Sequence, residues 1–209
     1  MGNMVQFSTA DSGYLATPVS GSGPGVVVIQ EWWGLVDHIK SVADRFAAAG
    51  FVALAPDFYN GETTTSPDEA GKLMMALKID DAEKKLRDAI DFLLLRDETT
   101  GTRVGTVGFC MGGQLSLYAA CANPKVGACV DFYGIHPNVQ PDLASLQAPV
   151  LGFFAEKDGF VTPEVARQGP HRRQRCQGQQ RRHSAHSPHR QGIGIGGFSG
   201  EPGGSFQHG

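Results

Sequence analysis

The stretch Gly108-Phe-Cys-Met-Gly-Gly113 limits what this chain can fold into more than any other. Five residues suited to a buried strand, Arg103 to Val107, run straight into Gly-x-Cys-x-Gly, and a helical pattern follows at once. Strand, sharp turn and helix in that order make a nucleophile elbow, here with cysteine in place of serine. The turn lifts the Cys110 side chain over the end of a sheet, and glycine at 108 and 112 leaves room for close backbone approach. Partial positive charge at the helix start predicts a lowered thiol pKa and a thiolate nucleophile. A lone cysteine is more often packing than chemistry. The glycines, the strand before and the helix after turn the reading of Cys110 towards a nucleophile.

The rest of the chain supplies a sheet for that elbow. Val5-Gln-Phe and Gly13 to Thr17 read as an opening hairpin around the turn Ala10 to Gly13. Val26-Val-Val-Ile29 and Phe51 to Ala55 are short unbroken apolar runs, as expected of strands buried on both faces of a parallel sheet. Between them Asp37 looks like an N-cap, and Ile39, Val42, Ala43, Phe46 and Ala47 recur at helical spacing up to Gly50. Ser66-Pro-Asp-Glu69 is a capping box with proline at the first helical position, opening a helix to about Leu77. A further helix is expected from about Asp80 to Leu95, then one from Gln114 to Ala122 after the elbow. Val126 to Phe132 and Pro149 to Phe154 complete the strands. Strands alternating with amphipathic helices predict an α/β fold, a mostly parallel sheet with helices on both faces.

With 209 residues, 41% hydrophobic and 19% charged, the chain suits one ordinary domain with a real core. A net charge of -3 argues against a polyanionic partner, so no nucleic acid is expected. No basic, apolar leader and no run of roughly 18 apolar residues is present, which predicts a cytoplasmic protein with no membrane partner. Its four cysteines lack CxxC spacing, so no disulfide, metal or cofactor is called for. A monomer is the expected state.

Ligands gather at the C-terminal ends of parallel strands. Three candidate groups fall at three such ends: Glu31, Cys110 and Asp158. Cysteine followed by aspartate is the chain order of an α/β-hydrolase, with a histidine expected third.

Gln30-Glu-Trp-Trp-Gly-Leu, Asp37-His-Ile, Ala55-Pro-Asp-Phe-Tyr, the elbow and Phe154-Ala-Glu-Lys-Asp158 together resemble the dienelactone hydrolase (carboxymethylenebutenolidase) family over about residues 1–167. The resemblance implies a hydrolase of small lactones or esters that works through an acyl-enzyme. It makes Cys110 the nucleophile, Asp158 the acid that orients a histidine, and Glu31 a group that meets the resting thiol and helps to activate it. It also implies an oxyanion hole from the backbone N–H groups of Trp32 and Met111. Trp32, Trp33 and Tyr59 are candidates for pocket wall or core. His38 and His136 read as structural.

Two departures from the family pattern stand out. Members acting on dienelactone hold its carboxylate with arginine, yet no arginine occurs between Arg45 and Arg87. From Gln168 onward the chain changes character: six Arg, no Lys and one acid give +5, against -8 for the residues before it. Residues 168–209 are therefore expected to form a separate basic tail, rich in Gly, Gln, Arg and His, without the family's last strand and helix. Either it is a disordered basic segment or, the preferred reading, a reading-frame shift near codon 168. Catalytic use of His183, His186 or His189 is left open. If none of them reaches Cys110, the chain is an impaired member acting as a reactive-thiol or binding protein.

Overall fold

The computed structural model describes residues 1–162. Seven strands form one sheet in the order β1-β2-β4-β3-β5-β6-β7. They are β1 (Asn3–Gln6), β2 (Ser12–Ala16), β3 (Gly23–Ile29), β4 (Val52–Pro56), β5 (Thr99–Phe109), β6 (Val126–Phe132) and β7 (Val150–Phe153). The opening hairpin is antiparallel and β2 lies antiparallel to β4, whereas β4, β3, β5, β6 and β7 run parallel. Four helices accompany them: α1 (Asp37–Ala48), α2 (Pro67–Ala76), α3 (Ile79–Leu94) and α4 (Met111–Ala122). None of these is long and apolar enough to cross a membrane.

The period of two in a strand explains the two-layered core. Along β3, Val27 and Ile29 face the layer built from α3 and α4, while Val26 and Val28 face α1. All four are at most 5% exposed, as a strand sandwiched between helices requires. On α3 the stripe Ala82, Leu86, Ala89, Ile90 and Leu93 is buried against the first layer, and on α1 Ile39, Val42, Ala43 and Ala47 fill the second. Helices thus cover both faces.

Lys85 shares the apolar stripe of α3 and is itself only 7% exposed. Its ammonium pairs with Asp11 at 3.2 Å, and donates to the Asp57 carbonyl at 2.6 Å and to Asn60 Oδ1 at 3.1 Å. One buried cation thereby ties the first hairpin, α3 and the loop after β4 together.

Local differences from the sequence reading have local causes. Val36, not Asp37, is the N-cap of α1; Asp37 is the first helical residue, where its charge still suits the helix dipole. Ser66 does cap α2, accepting from Glu69 N–H at 3.5 Å, but the Glu69 carboxylate receives the Thr64 hydroxyl at 2.7 Å in place of the reciprocal bond. β3 and β5 both begin earlier than expected, because Gly23 pairs with Thr99 and Pro24 with Thr100 before a register shift. α4 begins at Met111, directly on the elbow. The segment 168–209, with the histidines at 183, 186 and 189, lies outside the described residues.

Candidate active site

Cys110 joins β5 to α4 with φ 53° and ψ -121°, a left-handed conformation that a side-chain-bearing residue rarely adopts. Main-chain bonds hold it there. Cys110 N–H donates to the Phe132 carbonyl at 3.0 Å, and the Cys110 carbonyl accepts from Gly113 N–H at 2.9 Å and Ile135 N–H at 3.2 Å. A Cβ at Gly108 would land on the Gly112 carbonyl, and one at Gly112 on the carbonyls of Ile29 and Gln30. The neighbours that exclude a side chain are backbone and cannot swing away, so these two glycines seat α4 on the ends of β3 and β5.

Glu31 follows β3, Tyr133 follows β6, and Asp158 lies in the loop after β7. The Tyr133 hydroxyl donates to Glu31 Oε1 at 3.4 Å, a bond long for its type. Like Cys110, Tyr133 has a positive φ, 44°, and its N–H donates to the Phe153 carbonyl at 2.8 Å. Asp158 Oδ1 accepts from the N–H groups of Phe160 at 2.8 Å and Val161 at 2.9 Å, which fix its carboxylate. Burial, the Glu31 carboxylate and its hydrogen bond push the Tyr133 phenol up to about 12, with Cys110 and Asp158 adding to the effect. Cys110, Glu31, Asp158 and Tyr133 therefore lie within electrostatic reach of one another.

The expected lowering of the Cys110 pKa is overturned. Burial pushes the thiol up; the Met111 N–H at the start of α4 pulls it down, but Glu31 and Asp158 raise it further. Two carboxylates and a partly desolvated sulfur outweigh one helix end. The resting group is a thiol, and a base must take its proton before attack. Alkylation of Cys110 by iodoacetamide should keep accelerating above the ordinary thiol range, and Glu31→Gln should move that pH profile downward. A profile flat above neutral pH would show a thiolate already formed.

Met111 N–H, assigned to the oxyanion hole, is directed at the Cys110 sulfur, and Trp32 occupies the turn after Glu31. Trp32 and Trp33 are half-buried and meet edge to face at 5.1 Å. Tyr59 belongs to the core, its hydroxyl 3.2 Å from Met111 Sδ. His38 is exposed on α1. His136 is buried, accepting from Asn138 N–H at Nδ1 and so donating from Nε2 to the Met74 carbonyl at 3.2 Å. Neither described histidine is engaged with Cys110. The sequence reading passed over Tyr133, although its place directly after a parallel strand marks it. It also passed over Asp131, fully buried beneath the elbow, where its Oδ1 accepts from Gly134 N–H at 2.8 Å and burial pushes the carboxyl up to about 7.

A strained cysteine on a strand–helix elbow, with acids at the ends of neighbouring parallel strands, defines an α/β-hydrolase. Residues 12–182 match the dienelactone hydrolase family. Relatives include protein usf of Aquifex pyrophilus, 44% identical over 77% of this chain and 74% of that one. The carboxymethylenebutenolidase homolog of Mus musculus is 32% identical over 78% and 67%. Among solved structures, the dienelactone hydrolase-like promiscuous phosphotriesterase P91 from metagenomic libraries superposes with a TM-score of 0.70 at 27% identity, covering 84% of this chain and 77% of its own. The chain belongs to the dienelactone hydrolase family, and it is a hydrolase of the lactone- and ester-cleaving class.

Proposed function

We propose that the protein cleaves a lactone or ester through a thioester on Cys110. The observation that carries this reading is the Cys110 backbone, held at φ 53° at the head of α4 beside Glu31 and Asp158. As Sγ attacks the acyl carbon, the thiol proton passes to the Glu31 carboxylate, which the Tyr133 hydroxyl keeps in place. The N–H groups of Trp32 and Met111 would stabilise the oxyanion, the second once substrate draws it from the sulfur. Collapse of the tetrahedral intermediate breaks the carbon–oxygen bond, and the alkoxide takes the proton held on Glu31 to become an alcohol, which restores the carboxylate. Water then hydrolyses the thioester and regenerates the thiol. In the family that water is activated by an imidazole aligned by the acid, here Asp158.

The placement of the two described histidines, His38 exposed on α1 and His136 held by the Met74 carbonyl, supports a second reading, a reactive thiol that acylates once and stops. Counting turnovers decides between them. Incubating the full chain with excess para-nitrophenyl butanoate should release many equivalents of nitrophenolate per protein. A single equivalent with a stable acyl mass on Cys110 identifies the one-shot thiol.

A further inference from the structure

Asp131 is wholly buried on β6, an acid in the core that the reaction written above does not use. In register it faces Gly108 of β5 on one side and Gly152 of β7 on the other. Two residues on from Cys129, it shares the face of the sheet that α4 covers. A Cβ added at Gly113 or at Gly134 would land on its carboxyl, so the group is wedged between the first turn of α4 and the loop after β6. Its Oδ1 accepts from Gly134 N–H at 2.8 Å.

The turn closed by that bond carries the contacts that grip the elbow. Within it, the Phe132 carbonyl accepts the Cys110 N–H at 3.0 Å, and directly after it Ile135 N–H donates to the Cys110 carbonyl at 3.2 Å. Cys110 is thus held from both sides of its left-handed backbone by one short stretch of chain. Between those two contacts lies Tyr133, whose φ of 44° only its surroundings can impose, and whose hydroxyl meets Glu31.

From these placements we infer that Asp131 is a positioning residue: by fastening Gly134 it holds the turn after β6 against the elbow, and through that turn it sets Cys110 and Tyr133 for attack. This rests on Cys110 being the nucleophile. Asp131 is out of reach of any substrate, so it acts only through these neighbours. Burial pushes its carboxyl up to about 7, yet a carboxyl oxygen can accept from an N–H whether or not the group is ionised. The clamp therefore calls for the oxygen and not for the charge.

The test follows acylation of Cys110 by para-nitrophenyl butanoate in the full chain, read as nitrophenolate release and located by peptide mass, with urea unfolding of each variant alongside. Asp131→Ala should slow acylation by roughly 10- to 100-fold, the scale of a reacting group misplaced by up to about 1 Å. Asp131→Asn, which keeps an accepting oxygen at the same reach, should stay within about threefold of the unaltered chain. Cys129→Ala, a core truncation on the same face of β6, should lower the unfolding midpoint without slowing acylation. If the alanine variant does not fold, Asp131→Ser, whose hydroxyl stops short of Gly134 N–H, takes its place. An alanine variant as fast as the unaltered chain, an asparagine variant as slow as the alanine one, or an equal slowing by Cys129→Ala overturns the positioning role and leaves Cys110 the nucleophile. No adduct on Cys110 in the unaltered chain overturns both.

Discussion

Cys110→Ala is expected to lower kcat/KM for any ester the protein turns over by on the order of 10^4-fold, because every later step needs the thioester. It should also abolish the acyl mass gain at that position. The fold should persist: residue 110 is only partly buried, and the bonds that hold its backbone run through N–H and carbonyl groups that alanine keeps. A matching unfolding transition would separate loss of chemistry from loss of structure. Turnover that survives in Cys110→Ala places the nucleophile elsewhere.

Lys85→Ala is expected to destabilise the fold strongly. It strands the Asp11 carboxylate and removes the hydrogen bonds to Asp57 and Asn60. Breaking a buried pair from one side costs about 3–5 kcal/mol, and the lower end applies because the Asp11 side chain keeps 12% of its surface. Urea unfolding should show the midpoint fall with little change in slope. Removing both charges together, Asp11→Asn with Lys85→Met, should recover part of the loss. The pair also sets an acid limit. Burial pushes the Asp11 carboxyl up, but the Ser8 hydroxyl and Lys85 bring it below the usual carboxylate range. A lowered folded pKa adds stability above the unfolded carboxylate value, near pH 4, and that stability drains away as the pH falls further. A cost below about 1 kcal/mol for Lys85→Ala would mean the pair behaves as a solvated one.

Much of this was legible in the residues because the signals were short-range. Unbroken apolar runs marked β3 and β4, Pro67 and Ser66 marked the start of α2, and two glycines marked the elbow. Placing Glu31, Cys110 and Asp158 at strand ends followed from the rule for parallel sheets. What failed depended on distance through space. The helix end at Met111 favours a thiolate when only its own turn is considered, yet burial of the sulfur by the folded chain outweighs it, and Glu31 and Asp158, arriving from far away in the chain, push the same way. Tyr133 was missed for the same reason, since its partner is Glu31, 102 positions earlier. Lys85 on an apolar stripe was a visible anomaly, but only Asp11 and the Asp57 carbonyl explain it.

The glycines at 108 and 112 divide the elbow into a fixed part and an exchangeable one. Both are excluded from carrying a side chain by main-chain atoms, whereas nothing in the geometry of residue 110 depends on sulfur. Serine could stand on the same turn without moving α4. The scaffold therefore inherits a position for a nucleophile and leaves the element open, so selection can exchange oxygen for sulfur chemistry by one substitution while the glycines stay immobile.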